Sequence, residues 1–565
     1  MKDKILGLWD GHDAGASIIE GDEIKVAFNE ERLTRRKLEV GFPAQSIIAC
    51  LKYAKISPQD IKIIAATTSD FSKTLTRLIP SLKERYYLIR RRKAIPPFLS
   101  FQKGLKYRLT ELKPNRLTVA LSKSHLISQL HKLGFQGFQF FLVDHHLAHA
   151  AKCLCSGFKK GLSISIDGVG DGLSASVNLF NKDRLERIGV IDACNSIGIF
   201  FEHVTNLLNM RELEDEGKVM ALADFAYPIP GDENPMLDLF KVSGMNVEAK
   251  ISTSRMYLIL KKILWQTSTE QFARMAQDAL EYFLVELFQN CLKETGEEYL
   301  CWSGGVASNI KANQNIRHLS GVKDWFVFPH MGDGGLAIGA ALYINLQINK
   351  ISTYRFNNFY LGEEYSNDEI EKSLREYNLS YKKEDDIYFK VANLLAEENV
   401  VFWFQGRMEI GPRALGNRSI LARADSNICK NLLNLSIKKR VWYQPFCPSI
   451  LEEDVQEYLS DLTHHPDKFM TMGYSIKKEK REKLTAISNI DGSCRPQILG
   501  NENPGFKALL EAYRRLTGEG IILNTSFNQH GEPIVSSPKD AIQTFLRTKA
   551  SYMAIGDFLI HEKKA

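Results

Sequence analysis

The feature that most constrains this chain is a repeated strand–turn–strand unit whose turns are built from glycine and acidic residues. The first copy runs through Ile5-Leu-Gly-Leu-Trp9, a polar turn with Gly11-His12-Asp13, then Ala16-Ser-Ile-Ile19 and Glu23-Ile-Lys-Val-Ala-Phe28. The second begins at Leu162-Ser-Ile-Ser-Ile-Asp167, turns through Gly168-Val-Gly-Asp-Gly172 and resumes at Leu173-Ser-Ala-Ser-Val-Asn-Leu179. Short β-rich runs divided by Gly/Asp clusters read as strands joined by tight turns. Their recurrence after about 150 residues reads as an internal duplication. Glycine lets backbone N–H groups approach a polyphosphate closely, and a neighbouring carboxylate can hold a metal or an attacking group. A third segment, Tyr299 to Ser303 followed by Gly304-Gly305 and Val306-Ala-Ser-Asn309, reads as strand, double-glycine turn and helix start. That geometry suits a nucleotide packed against a helix N-terminus, or an ordinary βα turn.

At 565 residues the chain is long enough for two large domains. It turns polar and aromatic from Asn349 to Ser366, and a second α/β region opens with Val400-Val-Phe-Trp-Phe404. The boundary is therefore placed at 355, with domains 1–355 and 356–565. No apolar run reaches the roughly 18–20 residues that cross a bilayer, and the N-terminus lacks the apolar core of a signal peptide. A cytoplasmic protein is expected. Nine cysteines without a CxxC pair read as free thiols, and Cys153-Leu-Cys155 alone is a weak metal signal.

The net charge of +6 is unevenly spread, because Lys83 to Arg116 holds eleven Lys/Arg against two Asp/Glu. Tyr86, Tyr87, Phe98, Phe101 and Tyr107 are interleaved there. The favoured reading is a solvated helical insertion; a pocket edge for an anionic acceptor, or a patch facing phosphates or an anionic surface, are the sharper ones.

His145 and His149 are spaced i, i+4 in Asp144-His-His-Leu-Ala-His, which on a helix sets both imidazoles on one face. A pair of core or surface histidines would look the same. Asp167 and Asp333, each followed by glycine in a turn after an apolar run, can add two carboxylates. Such a set suits a divalent first-row ion and, lacking thiolates, does not suit a closed structural zinc site.

With these residues in view the sequence resembles the NodU/CmcH O-carbamoyltransferase family, which includes antibiotic carbamoyltransferases. The matching stretches include Gly11-His12-Asp13, Glu30 to Lys37, Gly41-Phe42-Pro43, Asp144 to Ala150, Asp167-Gly168, Glu214 to Met220, Gly304-Gly305-Val306 and Met331-Gly332-Asp333. They continue with Phe404 to Ser419, Pro445 to Ser449, Leu523 to Asn528 and Gly531 to Ile534. The resemblance implies an actin-like, threonylcarbamoyl-transferase-like N-terminal domain and a YrdC/Sua-like C-terminal domain. It implies a metal on His145, His149, Asp167 and Asp333, Fe²⁺ foremost with Mn²⁺ or Zn²⁺ as alternatives. ATP, with Mg²⁺, and carbamoyl phosphate would be the substrates.

By that resemblance carbamoyl phosphate is cleaved to carbamate in the second domain, carbamate attacks the ATP α-phosphate, and the carbamoyl-adenylate is consumed in the first. His12 or Asp13 is the candidate base for the acceptor hydroxyl unless both are simple turn residues, and Lys37 joins them as catalytic. Nucleotide and phosphate contacts fall to Lys218, Gly304, Gly305 and Asn309, and in the second domain to Arg413, Arg418, Lys438, Arg440, Arg495, Ser526 and Asn528. Guanidinium forks match phosphate oxygens bidentately, which is why arginines lead that set.

Three positions depart from the family pattern. Val441 and Gln444 stand where the family usually has Glu and Arg, and Asn489 where it commonly has His. The alternatives are a kinase or other transferase on the actin-like scaffold with a degenerate adenylation domain, or a silent nucleotide-binding regulator. The expected partner is a small-molecule or glycan hydroxyl acceptor chosen by insertions near 72–118 and 225–265, with no nucleic acid and, in one reading, a second copy forming a homodimer.

Overall fold

The computed structural model describes residues 3–92, 108–462 and 465–562. They divide into two compact units, Met1–Glu30 with Leu38–Phe356 and Glu31–Lys37 with Asn357–Ala565. The division at Phe356 lies beside the expected 355, but the first unit is not continuous: Glu31–Lys37 is built into the second. Nothing local in the sequence announces that crossing, because the contacts that define it come from residues far along the chain.

In the first unit β1 (Lys4–Trp9), β2 (Gly15–Glu20) and β3 (Glu23–Asn29) form an antiparallel meander. β4 (Ile63–Thr67) and β5 (Gln139–Val143) add in parallel beyond β1, giving the order β3-β2-β1-β4-β5. A second sheet repeats the plan. β6 (Gly161–Gly170), β7 (Leu173–Phe180) and β8 (Leu185–Asp192) form the meander. After a hairpin of β9 (Phe240–Ser243) and β10 (Asn246–Ala249), β11 (Tyr299–Ser303) and β12 (Asp324–Val327) add in parallel beyond β6. The order β12-β11-β6-β7-β8 mirrors the first sheet strand for strand, so the duplication read from the turns extends to the topology. β1 and β4 are buried on both faces, which explains their near-continuous apolar character.

Close packing of two helices sets up the site. The helix Leu336–Asn349 lies against β1 and against the short helix His145–Ala150. A Cβ at Gly339 would stand 1.9 Å from the Ala148 carbonyl oxygen, so only glycine permits this approach. The turn Asp333–Gly335, which leads into the longer helix, is thereby held beside the two histidines.

The second unit is a mixed eight-stranded sheet. Its strands are β13 (Tyr381–Lys383), β14 (Val401–Phe404), β15 (Arg418–Arg423), β16 (Cys447–Leu451), β19 (Gln497–Leu499), β20 (Ile521–Ser526), β21 (Tyr552–Ile555) and β22 (Phe558–His561). They run in the order β13-β22-β21-β14-β15-β20-β16-β19, while β17 (Tyr474–Ser475) and β18 (Ser493–Cys494) pair separately. The helices Ile387–Ala396 and Pro504–Thr517 cover one face over Trp403, Leu421, Leu499, Phe506 and Leu509. Arg32, from the crossing segment, is buried and donates from Nη2 to the Gly411 carbonyl at 2.6 Å.

The basic insertion differs from a solvated face. Residues 93–107, with Phe98, Phe101 and Tyr107, lie outside the described residues, but the flanking cations are engaged. Lys83 Nζ donates to the Asp10 carbonyl at 2.7 Å, Arg90 pairs with Glu202 at 3.3 Å and Arg91 with Glu214. Arg92 donates to the carbonyls of Asn209 at 2.8 Å and Met210 at 2.6 Å. The segment thus ties the first sheet's side of this unit to the second sheet's side. Among the described residues no helix is long and apolar enough to cross a membrane, and all nine cysteines are free thiols.

Gly339→Ala forces the Leu336–Asn349 helix off its neighbour and is expected to lower unfolding free energy by about 1–3 kcal/mol, the usual cost of overpacking. Urea denaturation of the two proteins measures it.

Candidate functional site

Two short elements and two strand ends converge. The helix His145–Ala150 is N-capped by Asp144, whose side chain accepts from Leu147 N–H, and this cap orients both imidazoles. His149 Nε2 lies 3.0 Å from Asp167 Oδ2 and 3.3 Å from Asp333 Oδ1. His145 Nε2 lies 3.4 Å from Asp167 Oδ2 and 3.6 Å from Asp333 Oδ1. One ligand atom from each of the four falls within 4.8 Å of the others. Bonds of about 2.0–2.2 Å to a shared ion would set such donors roughly 3–4.4 Å apart. The imidazole–carboxylate distances of 3.0, 3.3, 3.4 and 3.6 Å fall inside that span, so these contacts suit a shared divalent cation. The imidazoles are closed off, whereas the Asp167 and Asp333 side chains keep 15% and 8% of their surface, so access is from the carboxylate side.

The Nδ1 atoms are held from behind. Thr68 Oγ1 lies 3.0 Å from His145 Nδ1, and Lys152 Nζ lies 3.0 Å from His149 Nδ1. His146, between them, turns away to Ser165 Oγ and the Leu173 carbonyl and is a packing residue. Asp167 sits where β6 bulges, and Gly305 N–H donates to its Oδ1 at 3.3 Å. Gly304 has φ +99°, and a Cβ there would strike the Ile166 carbonyl oxygen at 2.0 Å, so only glycine lets β11 turn this close to β6.

Charge and burial explain the protonation pattern of these four groups. Burial opposes a charged His145, but Asp333, Asp167 and Asp171 outweigh it and raise its pKa to about 9. Burial and then Lys152 lower that of His149 to about 3. Burial and the neighbouring Asp167 push Asp333 up to about 6, while the histidines hold Asp167 well below the usual carboxylate range against its own burial.

His12 and Asp13 join this cluster. His12 Nε2 lies 3.3 Å from Asp333 Oδ2, and Asp13, at φ 55°, places Oδ2 3.6 Å from His330 Nε2. Trp9 packs edge-on against both His12 and His145. Lys37 belongs instead to the second unit, where its Nζ meets Glu31 Oε1 at 3.0 Å. Lys218 pairs with Asp215 at 2.8 Å. Asn309 caps the helix Ile310–Arg317 and pairs reciprocally with Gln277, so its side chain shapes the turn.

In the second unit, Arg413, Arg440 and Arg495 form a cation cluster. Arg495 donates from Nε and Nη2 to Cys447 Sγ at 3.2 and 3.0 Å, and Arg440 lies over the Phe446 ring at 4.3 Å. Burial and the nearby Arg495 charge lower Arg413 to about 9; burial, against a smaller pull from Cys447 and with Arg495 adding, does the same to Arg440. Among the described residues none of the three forms an ion pair with a carboxylate. Lys438, Ser526 and Asn528 also meet: Lys438 Nζ donates to the Asn528 carbonyl at 3.0 Å and its Oδ1 at 2.8 Å, and to Ser526.

Arg418 needs correcting. It is fully buried, donates from Nη1 to the carbonyls of Gln405 and Gly406 at 2.7 and 3.2 Å, and lies over the Phe404 ring at 3.6 Å. It holds the β14–β15 connection together rather than presenting a fork to a phosphate. Of the departures, Asn489 is engaged, its Nδ2 donating to Ser493 Oγ at 2.9 Å, whereas the Gln444 side-chain oxygen is buried without a hydrogen-bond partner among the described residues.

Sequence reasoning missed Thr68, His330 and Lys152. Only Lys152 had a usable signal, a lone cation inside Ala150-Ala-Lys-Cys-Leu-Cys155. Because protons occupy His145 below about pH 9 and Asp333 below about pH 6, an entering cation must displace them at low pH. Apparent affinity for Mn²⁺ is therefore expected to rise as pH goes from 6 to 9 and then level off, with His149→Ala weaker throughout. Titration calorimetry checks both.

The chain is similar in sequence to known proteins. The family described as Carbamoyltransferase N-terminus matches residues 4–342, and that described as Carbamoyltransferase C-terminus matches residues 392–562. The uncharacterized protein MJ1051 of Methanocaldococcus jannaschii is 32% identical over 577 aligned positions, covering 99% of this chain and 100% of that protein. Nodulation protein NolNO of Sinorhizobium fredii is 30% identical over 570, covering 98% and 79%. The 3'-hydroxymethylcephem-O-carbamoyltransferase of Streptomyces clavuligerus is 30% identical over 359, covering 61% and 64%. The chain belongs to the carbamoyltransferase family, of the NodU/CmcH type, and is a carbamoyl-transferring enzyme.

Proposed function

We propose that the protein is an ATP-dependent O-carbamoyltransferase working in two half-reactions. The second unit forms carbamoyl-adenylate from carbamoyl phosphate and ATP, and the first transfers the carbamoyl group to a hydroxyl of a small-molecule or glycan acceptor. The observation that carries the reading is the meeting of His145, His149, Asp167 and Asp333. The duplicated sheet supports an actin-like first unit, and the mixed sheet with its cation cluster is compatible with a YrdC-like second unit.

Carbamate is a poor acyl donor because oxide cannot leave, whereas AMP leaves readily, so activation by ATP has a chemical purpose. Hydrolysis of carbamoyl phosphate gives carbamate and phosphate; carbamate oxygen then attacks the ATP α-phosphorus and expels pyrophosphate. Arg413, Arg440 and Arg495 offer charge without a competing carboxylate to those phosphate oxygens. In transfer, His12 takes the proton of the acceptor hydroxyl as its oxygen attacks the carbamoyl carbon and AMP departs. A divalent cation in the first unit, when bound, supplies Lewis acidity that offsets charge on the departing AMP. The name of the Streptomyces clavuligerus relative, an O-carbamoyltransferase, supports an oxygen acceptor.

Pyrophosphate release should require ATP and carbamoyl phosphate together. ADP as the product indicates a kinase, and no product a binder, and either outcome rejects the reading. Arg440→Ala should weaken pyrophosphate release by about 2–5 kcal/mol in kcat/KM, the cost of removing one partner of a buried charge contact.

A further inference from the structure

Lys152 follows the histidine helix in the short turn Ala151–Cys155 and is only 1% exposed. A buried amino group is tolerated where hydrogen bonds replace its water. Its Nζ has four neighbours: the carbonyl oxygens of His330 at 3.1 Å, Met331 at 2.9 Å and Gly332 at 3.0 Å, and His149 Nδ1 at 3.0 Å. Three consecutive carbonyls converge on one point only if the chain wraps around it, and the next residue is Asp333. Room is left on purpose, since a Cβ at Gly335 would come within 3.0 Å of Nζ and 2.1 Å of the His330 carbonyl oxygen.

The two sides of the four-residue cluster come from different places, the imidazoles from the His145–Ala150 helix and Asp333 from a loop some 180 residues later. One amino group touches both: the ring of His149 at Nδ1, behind its inward-facing Nε2, and the backbone that aims Asp333. Thr68 holds the His145 ring but makes no contact of that kind with the loop. We propose that Lys152 is a positioning residue for the metal centre, a buried amino group that sets the separation of His149 and Asp333. It acts through those ligands and does not touch the metal or substrate. The inference rests on the metal reading above.

The test uses the full chain with Mn²⁺ and Co²⁺ as probes. Lys152→Met keeps the stem length and apolar packing but removes the three donors. Partners of ligating residues typically affect affinity 10–100-fold when removed, so Lys152→Met should bind Mn²⁺ at least about 10-fold more weakly by calorimetry. The Co²⁺ absorption bands should change as Asp333 leaves its place. Amide hydrogen exchange in residues 330–335 should accelerate even without metal, a readout independent of loading. Thr68→Val, which leaves the loop untouched, should not accelerate that exchange. If Lys152→Met does not fold, Gly335→Ala, which crowds Nζ without removing it, must show the same weakened binding and altered bands. Unchanged affinity, spectrum and exchange in the folded variant overturn the clamp while leaving the metal reading standing. Wild-type protein that binds neither ion overturns both.

Discussion

The carboxylates of Asp167 and Asp333 face the same pair of imidazoles and repel each other, and the charge balance of the site follows from that repulsion. Asp167 and Asp333 stay close only because positive charge sits between them. His145 supplies it by keeping its proton below about pH 9, and Asp333 relieves the rest by taking one up below about pH 6. A divalent cation bound there would displace those protons. The duplicated topology serves this by bringing the end of β6 and the loop after β12 to the histidine helix at one place. Glycines at the closest approaches let backbone run where a side chain would intervene.

Much of this was legible in sequence, for physical reasons. β1 to β3, β6, β7 and β11 showed as short apolar runs cut by turn residues, and the histidines showed by helical spacing. Asp167 and Asp333 stood out as carboxylates in glycine turns after apolar runs, a pattern that plain turns share, and the resemblance joined them to the histidines. What could not be read depends on distant partners. Lys152 stands out only as a lone cation in an apolar run, and its role depends on three carbonyls from a remote loop that arrive around it. Arg418 sits inside a phosphate-like motif, yet β15 begins in the interior, and backbone carbonyls consume its guanidinium. Arg90 to Arg92 looked solvated because their carboxylate and carbonyl partners lie over 100 residues away.

The two units hold charge differently. The first pairs each buried cation near its cluster with acids or carbonyls, which makes a rigid cradle. The second leaves Arg413, Arg440 and Arg495 crowded together, with a cysteine sulfur as the neighbour they share, an arrangement that is costly alone and relieved by an anion. Replacement of the family's Glu and Arg by Val441 and Gln444 leaves those three guanidiniums in place.

The excursion of Glu31–Lys37 has an evolutionary consequence. The backbone passes from one unit to the other after Glu30, after Lys37 and after Phe356, so the boundary is crossed three times. Arg32, donating to Gly411 deep in the second unit, is encoded near the start of the gene, in the middle of the first unit's opening sheet region. Recombination at the linker would hand a new host the later unit without part of its own interior. Such halves are not interchangeable cassettes, and shuffling between relatives is constrained to keep the early segment and the late region in the same lineage.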